Sequence, residues 1–271
     1  MRLLFCGDVL GRAGRDAVHE HLPRLRESLA LDFVVVNGEN AAHGFGVTAK
    51  LCDEFFRLGV DAITLGNHAW DQKEIIPYME SEPRLLRPRN YPSGTPGRGA
   101  GVFTTARGKK VLLVQVMGRL FMDPLDDPFA AMEAELARYP LGLAVHAIVV
   151  DVHGEASSEK MALGQYADGR ASLVVGSHSH IPTADAQIMP RGTAYQTDAG
   201  MCGDYDSVIG MKKGPAILKF TRKIPGEKLS PAEGQATLCA VFVETDDATG
   251  LAKRVAPVRV GGRLAESVPA L

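Results

Sequence analysis

Residues 173–180 read Leu173-Val174-Val175-Gly176-Ser177-His178-Ser179-His180. A short apolar run stops abruptly at two histidines one residue apart. A run without polar alternation marks a strand covered on both faces. The two imidazoles therefore stand on the lip of a buried sheet, and the other strands of that sheet decide what they do there.

Four other runs end in the same manner. Leu3-Leu4-Phe5-Cys6 leads to Gly7-Asp8, and Phe33-Val34-Val35-Val36 leads to Asn37-Gly38-Glu39-Asn40. Residues 60–65 lead to Gly66-Asn67-His68, and Ala147-Ile148-Val149-Val150 leads to Asp151-Val152-His153-Gly154. Helical signals lie between them. Ala17, Val18, Leu22, Leu25 and Leu29 recur near a 3.6 period over residues 15–30. Thr48 is placed as an N-cap for a helix through Leu58. The first half thus reads β-α-β-α-β with right-handed crossovers. Residues 99–106 and 109–116 read as a hairpin around Arg107-Gly108, and residues 126–138 and 155–165 as helices. From Ala194 on the pattern is β-rich, with strands expected over 216–221, 236–245 and 254–260, pairing antiparallel, and a loop or flap over 225–234. No shift in composition marks a linker. The reading is an α/β chain with two packed sheets in a single domain, residues 1–271.

Bulk properties narrow the class. The chain has 271 residues, 45% of them hydrophobic and 23% charged, which is ordinary globular composition. Its net charge of -2 and 6% aromatics argue against an extended nucleic-acid surface. No apolar stretch approaches the roughly 18 residues of a membrane span. The N-terminal run is too short for a signal peptide and meets an aspartate at once. Cys6, Cys52, Cys202 and Cys239 are scattered, without a CxxC pair, and read as buried thiols of a cytoplasmic protein.

In open α/β sheets ligands bind outside the carboxyl ends of the strands. Asp8, Glu39, Asn40, Asn67, His68, His153, His178 and His180 are therefore expected on one rim. Leaving His68 aside, they form a mixed oxygen and nitrogen ligand set with no thiolate. Imidazole suits Zn, Fe, Ni and Cu, and carboxylate also suits Mn and Mg. These candidates exceed one tetrahedral ion and suit two ions sharing a carboxylate, the arrangement that clamps a phosphoryl group. Two divalent ions against two anionic ligands keep roughly two positive charges, a surplus that favours a phosphate anion. His19, His21 and His146 occupy helix or loop positions and are expected in solvent.

These motifs resemble the calcineurin-like metallophosphoesterases, and within them the YmdB-type family. The quoted stretches are GDVLG, NGENAAHGFG, LGNHAWD, MGRLFMDPLDDP and GSHSH, and the resemblance extends over nearly the whole chain. They depart from the wider superfamily in lacking the histidine of its first motif, in Glu39 standing for the usual aspartate, and in lacking an acid directly after Gly-Asn-His. The resemblance implies a four-layer α-β-β-α sandwich. It implies Asp8, Asn40 and His180 on one metal, Asn67, His153 and His178 on the other, and Glu39 bridging, with Fe or Mn first and Zn or Ni also compatible. His68 is implied beside the metals as the catalytic group. The implied activity is phosphodiesterase or phosphatase chemistry on a small phosphodiester such as a 3',5'- or 2',3'-cyclic nucleotide, by attack of a metal-bridging hydroxide. A homo-oligomer is compatible with this. A competing expectation is a nucleotide- or RNA-binding regulator whose metal site is sensing or structural. His43, Phe45 and the Gly44/Gly46 pair are read equally as a loop over the substrate or a plain glycine turn, with no role assigned to His43, and residues 117–128 as a pocket wall or support for an oligomer interface.

Overall fold

A computed structural model describes residues 1–223 and 226–270. The chain opens with β1 (Arg2–Cys6), the short β2 (Asp8–Val9), α1 (Gly11–Ser28), β3 (Phe33–Asn37), α2 (Ala49–Arg57), β4 (Ala62–Thr64), α3 (Ile75–Ser81) and β5 (Leu85–Leu86). There follow β6 (Ala100–Thr104), β7 (Lys110–Met117), α4 (Pro128–Arg138), β8 (Ala147–His153), α5 (Ser157–Ala167), β9 (Leu173–Ser177), β10 (Gln187–Ile188) and β11 (Ala194–Gln196). The last elements are β12 (Met201–Asp204), α6 (Lys213–Arg222), β13 (Ala236–Thr245) and β14 (Ala252–Val260).

The strands form two mixed sheets. The first has eight strands in the order β2-β12-β13-β1-β3-β4-β5, with β14 on the free side of β13. The second has six, in the order β10-β11-β9-β8-β7-β6. Within the first, β1, β3 and β4 run parallel, joined by helical crossovers. Within the second, β7, β8 and β9 run parallel. The predicted hairpin is β6 and β7, and β13 pairs antiparallel with both β1 and β14.

Side-chain alternation sorts the core. Leu3, Phe5, Phe33 and Val35 from the first sheet meet Val111, Leu113, Val149 and Val175 from the second. Their neighbours Leu4, Val34 and Val36 point the other way, onto Val18 and Leu22 of α1 and Phe55 of α2. Leu112, Val114, Ile148 and Val150 likewise pack on Met132 and Leu136 of α4 and Leu163 of α5. Both faces of each central strand are apolar, which is why the sequence shows runs rather than a period of two. Burying each such side chain contributes about 1.5–3 kcal/mol. Local signals set the helix starts. Thr48 Oγ1 accepts from Leu51 N at 3.3 Å, and Asp127 Oδ1 accepts from Phe129 N at 2.9 Å with Pro128 in the first turn.

Some expectations fail. Residues 216–221 are helical, inside α6, not a strand. Ile217, Leu218 and Phe220 are exposed there while Ala216 is buried, so the apolar run faces solvent instead of a sheet. Pro215 fits the first helical turn and would obstruct a central strand. The first helix starts at Gly11 rather than Arg15. Of the anticipated loop, Pro225 lies outside the described residues, and 226–234 carries neither helix nor strand. His19 is exposed, but His21 is half-buried and His146 Nδ1 accepts from Lys110 N at 3.0 Å. All four cysteines are buried and free. Among the described residues no helix is long and apolar enough to cross a membrane.

Candidate metal centre

The parallel strands deliver their carboxyl ends to one rim. Asp8 follows β1, Glu39 and Asn40 follow β3, Asn67 follows β4, His153 closes β8 and His178 follows β9. Two groups of donors result. In the first, His153 Nε2 lies 3.1 Å from Glu39 Oε1 and 2.9 Å from Asn67 Oδ1. The His178 ring meets the His153 ring edge-on at 4.9 Å. Glu39, His153 and His178 each offer a ligand atom within 4.8 Å of the others. In the second, His180 Nε2 lies 3.3 Å from Asn40 Oδ1 and 3.9 Å from Asp8 Oδ1. Asp8 joins the groups, because its Oδ2 accepts the backbone N–H of His178 at 3.2 Å. All seven expected ligands, scattered over the sequence, stand in these two groups.

The backbone is shaped to bring them there. His178 and His180 both adopt left-handed conformations, with φ of 96° and 66°. Non-glycine residues rarely do so, and such strain persists where surrounding structure over-determines it. Here Lys160 Nζ donates to Ser177 O and to Asp198 Oδ2, each at 2.7 Å, and Ser179 N donates to the same carboxylate oxygen at 3.0 Å. Gly66 is required by proximity: a Cβ there would collide with Glu39 Oε2 and His153 Nε2. The next loop curls back, so that Asn40 Nδ2 donates to Gly44 O at 3.0 Å and leaves Oδ1 facing His180.

Burial and the mutual charges of the site shift its carboxyls and imidazoles in different directions. Burial works to raise the Glu39 carboxyl, but the charge and hydrogen bond of His153 outweigh it and hold it down at about 2. Burial works to lower His153, and Glu39 reverses it, lifting the imidazole to about 9. Burial, then the His153 charge, pushes His178 down to about 3. Burial lifts Asp8 to about 6 against the pull of His180 and His153. A ring nitrogen facing two acceptor oxygens needs a proton or a cation between them, and a cation replaces the proton. The donor set and the cradle over Gly66 therefore fit metal ions.

His68 stands beside this centre. Its backbone N–H donates to Glu39 Oε2 at 3.1 Å, and its Nδ1 lies 2.8 Å from Asp71 Oδ2. The acid missing directly after Gly-Asn-His thus arrives three residues on. Phe45 packs edge-on against the His68 ring at 5.1 Å.

A model of the YmdB-like protein family matches residues 4–258. The chain belongs to the YmdB-like family. It is 46% identical over 255 residues to a Bacillus subtilis protein named 2',3'-cyclic-nucleotide 2'-phosphodiesterase, covering 94% of this chain and 95% of that one. A crystal structure of a hypothetical protein from Thermus thermophilus superposes with a TM-score of 0.90 at 44% identity, covering 97% of this chain and all (100%) of that one. A novel phosphatase from Mycoplasma pneumoniae superposes at 0.89 with 32% identity, covering 96% and 93% of the two chains.

Around the site of this YmdB-like chain stand groups that sequence did not single out, Glu155, Lys160 and Asp198, and two stretches that it did, His43 and residues 117–128. Glu155 Oε2 lies 3.2 Å from His178 Nε2. Lys160 and Asp198 are fully buried charges, a rarity that reads as pairing, although sequence does not show with whom. His43 is exposed, with a left-handed φ of 54°. Residues 117–128 leave from the site: Gly118 N donates to His153 O at 2.9 Å, and Glu159 Oε2 accepts from Arg119 N and Leu120 N, both at 3.0 Å.

Proposed function

We propose that this chain is a metal-dependent phosphodiesterase of small phosphodiesters, with 2',3'-cyclic nucleotides as its substrate class. The single observation that carries the metal reading is His153 Nε2 held between Glu39 Oε1 and Asn67 Oδ1, beside His178 and at full burial. The substrate class rests on the name of the Bacillus subtilis relative and on the similarity across almost the whole of both chains. The packing of helices outside two facing sheets supports a four-layer α-β-β-α sandwich, read here as one domain over residues 1–271, working in the cytoplasm.

Asp8, Asn40 and His180 would hold one cation, Asn67, His153 and His178 the other, and Glu39 would lie between them. Bound there, two divalent ions (iron or manganese before zinc or nickel) would supply Lewis acidity to phosphoryl oxygens and acidify water at neutral pH. The rest falls to the chain. His68 is oriented by Asp71 through Nδ1 and tied by its backbone to Glu39, which leaves Nε2 of the imidazolium form to give its proton to the departing alkoxide. Asn40 and Asn67 contribute neutral oxygens, so only Asp8 and Glu39 bring negative charge among the seven ligands, and an anionic phosphodiester meets a net positive site.

The test is turnover of bis-p-nitrophenyl phosphate, 2',3'-cyclic AMP and 3',5'-cyclic AMP by the purified protein, before and after chelation and metal readdition. The reading predicts hydrolysis that is lost on chelation and restored by manganese or iron, with the 2',3'-cyclic substrate turned over. Metal-bound protein that hydrolyses none of the three would contradict it.

A further inference from the structure

We propose that Ser177 and Asp151 are positioning residues for His153, forming a buried relay that fixes its Nδ1–H and aims Nε2 into the metal centre. The proposal rests on reading His153 as a ligand and adds what holds it. His153 Nδ1 lies 2.9 Å from Ser177 Oγ, and Ser177 Oγ donates to Asp151 Oδ1 at 2.7 Å. The other carboxylate oxygen, Oδ2, accepts from Gln115 Nε2 at 2.9 Å. These bonds fix the direction of the chain of hydrogens. Asp151 is an acceptor at both oxygens, so the single serine hydrogen goes to it. Toward His153 the serine oxygen is then an acceptor, and Nδ1 must carry the ring hydrogen. Nε2 is left facing Glu39 Oε1 and Asn67 Oδ1. Asp151, His153 and Ser177 are each 0% exposed, so bulk water does not substitute for a lost partner.

The relay is also anchored in the other sheet. Asn37, at the end of β3, donates through Nδ2 to Leu65 O at 3.0 Å and accepts the Glu39 N–H on Oδ1 at 3.1 Å. Its Nδ2 also lies 3.4 Å from Ser177 Oγ and 3.5 Å from Asp151 Oδ2. Leu65 N donates in turn to Gln115 Oε1 at 3.1 Å. Asp151 therefore sits where the sheet bearing Glu39 and Asn67 meets the sheet bearing His153 and His178. Polar groups this deep are costly unless bonded, and apolar side chains would fill the same space with less desolvation. Their bonds instead converge on one ligand. Hydrogen-bond partners of this kind set the orientation of a metal-bound imidazole and raise its basicity.

The experiment measures Mn²⁺ dissociation constants of the full chain by equilibrium dialysis for wild type, Ser177→Ala and Ser177→Thr, with the thermal midpoint of each metal-free protein alongside. The relay predicts that Ser177→Ala weakens one of two Mn²⁺ sites about 10–100-fold. Ser177→Thr, which keeps the hydroxyl, is predicted to restore it. If Ser177→Ala does not fold, Ser177→Cys keeps the volume with a weak acceptor and is predicted to show the same loss. Wild-type affinity in Ser177→Ala or Ser177→Cys overturns the relay, and so does equal loss in Ser177→Thr, because shape rather than the hydroxyl would then matter. Wild type that binds no Mn²⁺ overturns the metal reading itself, whereas normal wild-type binding with an unaffected variant overturns the relay alone.

Discussion

His68 and Glu39 are joined by one hydrogen bond, yet their substitutions should separate cleanly. His68 sits outside the two donor groups, so His68→Ala is predicted to retain both metals while kcat falls about 10²–10⁴-fold, the usual worth of a positioned general acid. Glu39 is 1% exposed and faces His153, so Glu39→Gln removes charge from the centre itself. It is predicted to lose metal, and activity with it. Elemental analysis beside steady-state kinetics checks both. A Glu39→Gln protein with full metal and full activity would contradict the bridging role. The seven residues that the two donor groups bring together, which we propose as ligands, were legible in the sequence because each stands at or just beyond the end of an apolar run. Their orienting partners were not. Asp151 stands two positions before His153, on the same face of β8, but its meaning depends on Ser177 and Gln115, which arrive from other strands. Asp71 was visible and out of register with the expected motif, and a turn over residues 68–71 closes that gap.

The ends of strands, more than any helix, make this site, and β9 shows how. Its last residue gives way to two left-handed histidines, a geometry held by the Lys160–Asp198 pair behind them. Lys160 and Asp198 come from α5 and from the segment before β12, 38 positions apart, so nothing in local pattern announces the contact. Lys160→Met leaves the Asp198 carboxylate buried at 0% exposure without its counter-ion. Breaking such a pair is predicted to cost about 3–5 kcal/mol of stability, read by denaturant unfolding. It should also weaken metal binding through His178 and His180. Elements with both faces buried were legible from composition, as β3, β8 and β9 show. The element misread was α6, whose exposed Ile217, Leu218 and Phe220 imitate the apolar run of a strand. Periodicity over six residues does not separate the two when burial is missing.

At the scale of the molecule, two parallel blocks, β1-β3-β4 and β7-β8-β9, face each other so that both end at the same rim. The crossover pattern made the β1-β3-β4 block predictable. The placement of β13 beside β1 was not, because Arg2 pairs with Glu244 across nearly the whole chain and no local signal encodes such a pairing. The consequence is functional: one sheet supplies Asp8, Glu39, Asn40 and Asn67, the other His153, His178 and His180, and a metal pair would join them. The measurement that tests this most directly is anomalous X-ray scattering from crystals of protein purified without chelator. The account predicts two peaks per chain, one beside His153 Nε2 and Asn67 Oδ1, the other beside His180 Nε2 and Asn40 Oδ1, with Glu39 between them. A single peak, or two peaks away from these residues, would contradict it.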